Sequence, residues 1–383
     1  MTRSLSPSPA QLSRTPTAPP IRVGLLGFGV VGGGVVRLLS QKASAIAVEI
    51  GRSIVLRRVL VRDPGRTRPV ALPEGDVTTD PAAILDDPEI DVVVELMGGV
   101  APAAEYIRRA IRNRKHVVTA NKEVMATQGV EILQLAHEHG VDVYYEASVG
   151  GGIPLIGVFR QDLVANEVHQ LHAIINGTTN YILSRMAQDG IDFAPALVEA
   201  QALGYAESDP TNDVEGIDAT YKLAILASLA FRTQVSPAAV YRDGITRLRA
   251  ADFRYARELG YVIKLLAIAK RHSGAGPMGG PVGGDEIEAR VHPTLVPQDF
   301  MLAGVNGVFN AVHVRGDLVG DVLFYGRGAG AEPTSSAVVA DIVDVAHNIN
   351  AAVANRIPFH YAGRLPIRQI DQLETRYYVR LWV

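Results

Sequence analysis

The stretch IRVGLLGFGVVGGGVVRLL, residues 21–39, decides the fold. An apolar run from Ile21 to Leu26 leads at once into Gly27-Phe28-Gly29-Val30-Val31-Gly32, then into helix-forming sequence reaching about Val48. Strand, glycine turn, helix opens a dinucleotide-binding βαβ unit. The first glycine makes the tight turn, the second lets backbone approach a pyrophosphate, and the third lets helix pack closely on strand. Backbone N–H groups and the dipole at the helix start then favour phosphate. Gly27, Phe28, Gly29, Val30, Val31 and Gly32 are thus expected at the cofactor. The spacing alone is weak, and the plain alternative is a glycine-rich turn in an unliganded domain.

Working outward, apolar runs at Ile54–Val61, Asp91–Met97, His116–Thr119 and Val141–Ala147 alternate with helical segments at about 102–113 and 129–139. Such alternation predicts a parallel sheet. The third run ends in Gly98-Gly99, so Gly98 joins the expected cofactor residues. The second ends in Arg62-Asp63, where an arginine would pair with a ribose 2′-phosphate and an acid would take the ribose hydroxyls. Arg62, backed by Arg66 and Arg68, favours NADP, while Asp63 keeps NAD open. A solvated charged loop is the alternative.

After Pro154 the pattern changes to a strand at 168–175, helices at about 179–188 and 193–203, and a long apolar helix at about 217–231. Strand-like stretches 307–314 and 319–325 flank Arg315-Gly316-Asp317, which reads as a hairpin turn and not as an adhesion motif. Ser273–Gly284, with six glycines and two prolines, predicts a mobile surface loop. A second glycine loop, residues 326–330, precedes a helix to about Val353; it would return the chain to the nucleotide domain and set Gly330 near the cofactor.

The 383 residues carry 37 basic and 40 acidic side chains, a net charge of -3 that offers no footprint for nucleic acid or an anionic membrane. The absence of cysteine excludes disulfides and thiolate metal sites and fits a cytoplasmic protein. No apolar run is long enough to span a bilayer. The first twenty residues, MTRSLSPSPAQLSRTPTAPP, read as a disordered leader. His137 and His139 lie two apart on a helix and face different directions, so they do not suggest a metal pair.

Seven segments together resemble the homoserine dehydrogenases in order and spacing: GFGVVGGGV (27–35), VVELMGG (93–99), TANKEVMA (119–126), EASVGGGIP (146–154), NGTTNYIL (176–183), GYAESDPTNDVEGIDATYK (204–222) and FYGRGAGAEPTSSAVVAD (324–341). The resemblance covers about residues 21–355. It implies NAD(P)-dependent interconversion of L-homoserine and L-aspartate 4-semialdehyde, a step toward threonine, methionine and isoleucine, by a cytoplasmic homodimer. It also implies an α/β fold: a Rossmann-type domain over 21–154 with 326–355, and an α+β catalytic and dimerisation domain over 155–325. Residues 356–383 would be a linker and first strand, since ETRYYVRLWV (374–383) is similar to the opening of the family's threonine-binding ACT domain. The expectation is a chain cut inside that domain and lacking its feedback.

The reaction removes a hydroxyl proton as hydride leaves the same carbon, so a tunable proton carrier must stand there. Lys222 opens the apolar run KLAILASLAF, where desolvation would favour the neutral amine, and Asp218 lies one helical turn earlier. Taken alone, the two read better as a surface ion pair. The resemblance makes Lys222 the acid/base residue, Asp218 its partner, and Lys122 a second active-site lysine between cofactor and substrate. It places Glu207 on the substrate amino group and Asp213 nearby, with Gly177 and Thr178 bordering the pocket. It also implies a structural Na⁺ or K⁺ on backbone carbonyls of Glu146, Val149, Gly151 and Ile153. Competing readings are a dehydrogenase of another amino-acid-like substrate and a non-catalytic nucleotide-binding regulatory protein.

Overall fold

The computed structural model describes residues 18–68, 70, 72, 75–272, 284–356 and 363–380. The first unit contains β1 (Ile21–Leu26), α1 (Val30–Gln41), α2 (Ala43–Ile50), β2 (Ile54–Leu60), β3 (Val77–Thr78), α3 (Ala82–Leu85), β4 (Val92–Glu95), α4 (Ala103–Arg112), β5 (His116–Thr119), α5 (Lys122–His139) and β6 (Val143–Tyr144). The second contains α6 (Ile156–Arg160), β7 (Val168–Ile174), α7 (Gly177–Asp189), α8 (Phe193–Ala202), α9 (Thr211–Val214), α10 (Ile217–Ala230), β8 (Tyr241–Arg242), α11 (Ala250–Glu258), β9 (Tyr261–His272), β10 (Glu286–Pro297), β11 (Phe309–Gly316) and β12 (Gly320–Arg327). Helix α12 (Ala331–Asn350) then returns to the first unit.

The first sheet runs β3-β2-β1-β4-β5-β6, all parallel. Strand order reverses between β1 and β4, and ligands of open α/β sheets bind in the crevice outside the strand ends at that switch point. One face packs on α1 and α12, with Ile21, Leu25, Val35, Val338, Ile342 and Val345 in a single core. Each such fully buried aliphatic side chain contributes about 1.5–3 kcal/mol.

The second sheet runs β12-β11-β7-β9-β10-β8 and is antiparallel apart from the short β8–β10 pairing. Helix α10 is apolar nearly all round, which suits an interior helix. It packs between α5 of the first unit and strands β9 and β10 of the second, bringing its polar residues to the junction.

Several sequence-based expectations are corrected. The helix expected to reach Val48 breaks at Lys42 into α1 and α2. Helix α5 begins at Lys122, not near 129, because Asn121 caps it by accepting a hydrogen bond from Val124 N–H at 3.1 Å. The strand expected over 141–147 is only two residues long; Glu146–Ser148 forms a 3₁₀ turn instead. Arg315 and Gly316 belong to β11, so the hairpin turn begins at Asp317. Of the expected C-terminal strand, residues 376–380 enter no ladder; Tyr378 and Arg380 bind Asp252 of α11. Residues 381–383, residues 1–17 of the leader and 273–283 of the glycine-rich loop lie outside the described residues. Among the described residues no helix is long and apolar enough to cross a membrane.

Candidate active site

The three glycines of the first turn meet three different surroundings. Gly27 has φ +99°, and a Cβ there would stand 2.8 Å from the Leu96 carbonyl oxygen. A Cβ on Gly32 would overlap the Gly27 carbonyl, whereas one on Gly29 would meet nothing within 4 Å. The third glycine is thus required for packing and the second borders open space, as a pyrophosphate cradle demands. Val30 beside it is 72% exposed, unusual for a valine in the first turn of a helix. Phe28 is buried under the Arg68 guanidinium, 6.0 Å from the ring centre; Val31 lends its carbonyl to Ser335 Oγ of α12 at 3.0 Å. Across the switch point, Gly98 has φ +79° and likewise faces open space. These residues fit a dinucleotide.

The loop after β2 divides its charged residues. Arg62 is exposed. Arg68 instead turns inward, donating to the carbonyls of Asp63, Pro64 and Arg66, so it organises the loop. The Asp63 carboxylate accepts the Gly65 N–H at 2.9 Å. Gly330 caps α12 with φ +124°. Close by, Gly328 allows no side chain, since a Cβ would overlap the Asn310 amide.

Buried Glu95 ends β4. It accepts from Thr119 Oγ1 at 2.6 Å and from Met97 N–H at 2.7 Å; burial pushes its carboxyl up, against those hydrogen bonds. Asn121 donates to the Gly99 carbonyl at 2.7 Å. These contacts fix the ends of β4 and β5, and with them Lys122 in the first turn of α5.

Lys122 Nζ lies 2.6 Å from Asp218 Oδ1, and Lys222 Nζ lies 2.6 Å from Asp218 Oδ2. Lys222 also donates to the Ile175 carbonyl at 2.9 Å. Asp218 and Lys222 are 5% and 9% exposed, so they are no surface pair. Burial disfavours the Asp218 carboxylate, but the two ammonium groups outweigh it and hold the carboxyl well below its usual range. Burial also opposes the charge on Lys122, and Asp218 overcomes it, raising that amine above the ordinary lysine value. Asn176, absent from the expected set, bridges the carboxylates by donating to Asp213 Oδ1 at 2.6 Å and Asp218 Oδ2 at 2.9 Å. Its oxygen meanwhile caps α7 at Thr179 N–H. Burial, with the Asp218 charge adding to it, moves the Asp213 carboxyl up.

Gly177 and Thr178 follow in the first turn of α7, and Thr178 Oγ1 donates to the Tyr205 carbonyl at 2.6 Å. That bond ties the 205–209 segment to the cluster. Glu207 on this segment is exposed and, among the described residues, is engaged only through its carbonyl, which accepts from Gln201. The structure therefore unites Lys122, Asp218, Lys222 and Asp213 and leaves Glu207 at the rim.

The 146–153 loop lies where the chain passes between units. The Glu146 carboxylate accepts the N–H groups of Leu155, Ile156 and Gly157 at 2.5, 2.9 and 2.7 Å. Val149 and Ile153 are buried, and their N–H groups bond to the Glu146 and Gly150 carbonyls. Gly151 has φ +55° and abuts Gly328, where a Cβ would stand 2.6 Å from that backbone.

A parallel-sheet crevice with an open glycine turn, beside two lysines that share one buried carboxylate, defines a nicotinamide-nucleotide-dependent dehydrogenase. The family model for the homoserine dehydrogenase NAD-binding domain matches residues 27–146, and that for homoserine dehydrogenase matches 154–343. The chain belongs to the homoserine dehydrogenase family, and its activity is that of an oxidoreductase acting on homoserine. It is 47% identical to homoserine dehydrogenase of Pseudomonas aeruginosa, over 94% of this chain and 82% of the relative, and 45% identical to that of Neisseria gonorrhoeae over the same shares. The crystal structure of the Thiobacillus denitrificans enzyme superposes with TM-score 0.86 at 48% identity, covering 93% of this chain and 81% of that one. A hyperthermophilic archaeal homoserine dehydrogenase, solved in complex with NADPH, superposes with TM-score 0.70 at 25% identity over 85% and 97% of the two chains.

Proposed function

We propose that Lys222 exchanges the proton in the interconversion of L-homoserine and L-aspartate 4-semialdehyde, and that Asp218 and Lys122 set its charge and position. The observation that carries this is the Lys122–Asp218–Lys222 arrangement at the junction of the units. An ammonium has three donors; two of those on Lys222 serve Asp218 and Ile175, leaving one for a substrate oxygen. In reduction Lys222 gives its proton to the carbonyl oxygen as hydride reaches the carbon, and in oxidation its free amine takes the hydroxyl proton. Lys122 stays an ammonium and stabilises negative charge on that oxygen. The nicotinamide, when bound, supplies or accepts the hydride.

Glu207 would receive the substrate ammonium, with Asp213 behind it. Gly177 and Thr178, whose N–H groups have no partner in the helix ladder, would face the carboxylate. Gly27–Gly32, Gly98, Lys122 and Gly330 would line the cofactor. Exposed Arg62 would take a 2′-phosphate, making NADP the preferred cofactor, since Asp63 is engaged by Gly65. Carbonyls of Glu146, Val149, Gly151 and Ile153 would hold Na⁺ or K⁺ as a structural ion. Self-association as a cytoplasmic homodimer through the second sheet completes the reading, supported by the exposed apolar residues Leu318, Val319 and Tyr325 along its β11–β12 margin.

The test is nicotinamide absorbance with L-homoserine and either NADP or NAD, comparing wild type with Lys222→Ala. Turnover reduced by about 10²–10⁴ in the variant supports the assignment. Undiminished turnover refutes it.

A further inference from the structure

Lys264 lies inside β9, 3% exposed, at a sheet position that an aliphatic residue would ordinarily fill. Its ammonium meets only neutral oxygens: the Val305 carbonyl at 2.5 Å, Asn306 Oδ1 at 2.9 Å and Asn180 Oδ1 at 3.5 Å. No carboxylate stands within ion-pair distance of it among the described residues. A buried cation without a counter-ion is costly, so something must offset its retention there. Burial alone brings its pKa down to about 8.

The partners of Lys264 converge on one turn. Asn180 of α7, itself buried, shares its amide hydrogens among the carbonyls of Val305, Gly307 and Phe309 at 3.0–3.2 Å. One helical turn on, Ser184 Oγ accepts the Gly307 N–H at 3.0 Å. The turn is thus pressed along α7, and its Val308 carbonyl reaches the first residue of that helix. A Cβ on Gly177 would stand 2.8 Å from that oxygen. Asn176, which bridges Asp213 and Asp218, immediately precedes Gly177.

We propose that Lys264 is a positioning residue for homoserine binding: its ammonium clamps the 305–309 turn onto α7 and so fixes the backbone at Asn176 and Gly177. The inference rests on the assignment of the first turn of α7 to the substrate pocket. Removing the clamp loosens the pocket wall while leaving the nucleotide crevice, built from the other sheet, untouched.

The experiment uses the full chain and compares Lys264→Met with Asn306→Ala, an exposed position whose change removes one acceptor of the clamp. Steady-state KM and kcat for L-homoserine are read beside the dissociation constant for NADPH. Lys264→Met is expected to raise KM about tenfold, the equivalent of one lost hydrogen bond, with kcat and NADPH affinity little changed. Asn306→Ala should move KM the same way by less. A wild-type KM in Lys264→Met, or parallel loss of NADPH affinity, overturns the proposal. If Lys264→Met does not fold, Asn306→Ala decides alone: a raised KM supports the clamp and an unchanged one overturns it. Lys222→Ala, assayed alongside, reports separately on the underlying site, since full turnover there would indict the site and not the clamp.

Discussion

Lys122 and Lys222 grip opposite oxygens of the same carboxylate, each at 2.6 Å from Asp218, although they come from different units of the fold. Neutralising Asp218 removes the charge that both amines depend on. Asp218→Asn should lower kcat by about 10²-fold or more. Its effect on stability has a definite pH window. A carboxyl whose folded pKa is depressed contributes stability above its unfolded value of about 4 and loses it as pH falls toward the folded value. Urea unfolding of both proteins should therefore show the stability difference shrinking below about pH 4, and a constant difference would contradict the assignment.

Asp341 presents the opposite case. Buried in α12, it accepts the Glu146 N–H at 2.9 Å, and burial followed by the Glu146 charge moves its carboxyl well above the ordinary range. The folded state holds this proton more tightly than the unfolded chain, so the cost of ionisation is absent below about pH 4 and grows as pH rises. Asp341→Asn keeps an acceptor and avoids that cost. It should raise the urea midpoint at pH 8 and leave it near wild type in acid.

The glycines of the first turn should separate binding from folding. Gly29→Ala enters open space and should leave the melting temperature nearly unchanged while weakening NADPH binding about tenfold or more in a fluorescence titration. Gly32→Ala drives a methyl into the Gly27 carbonyl, and should lower the melting temperature as well.

Arg62 tests cofactor choice. Replacing it by Asp should reduce the ratio of kcat/KM for NADP over NAD by about tenfold or more, because one charge-assisted contact becomes repulsive. Arg68→Ala should act differently, impairing both cofactors, since its guanidinium holds three loop carbonyls.

Legibility followed distance along the chain. The turn at Gly27–Gly32 was readable because each glycine has a local reason, and the Asp218–Lys222 pair because four residues make one helical turn. Lys122 joins Asp218 across 95 intervening positions, and only the resemblance brings it to the site. Asn176 is legible only as a helix cap, an asparagine opening NGTT; that the cap holding Thr179 also frees its amide for two carboxylates depends on the fold. The long β9–β10 ladder stayed hidden because β9 is buried on both faces, so YVIKLLAIAK lacks the alternation that marks a half-exposed strand. The 3₁₀ turn at Glu146 was hidden likewise, since its cause is a side chain reaching forward to cap α6.

Helix α12 has a consequence for the order in which the molecule comes into being. Its residues Val338, Ile342 and Val345 share a core with Ile21 and Leu25, so the unit that opens at β1 is completed by a helix made only after the second unit. Domains ordinarily fold as they emerge, but here the sheet carrying β1 must wait, one apolar face uncovered, while the whole second unit is synthesised. The two ends of the inserted unit lie side by side in the folded chain, where Gly152 N–H meets the Arg327 carbonyl at 3.2 Å. That junction delivers α12 to the waiting sheet, and nascent chains arrested before residue 331 should be the ones that chaperones hold.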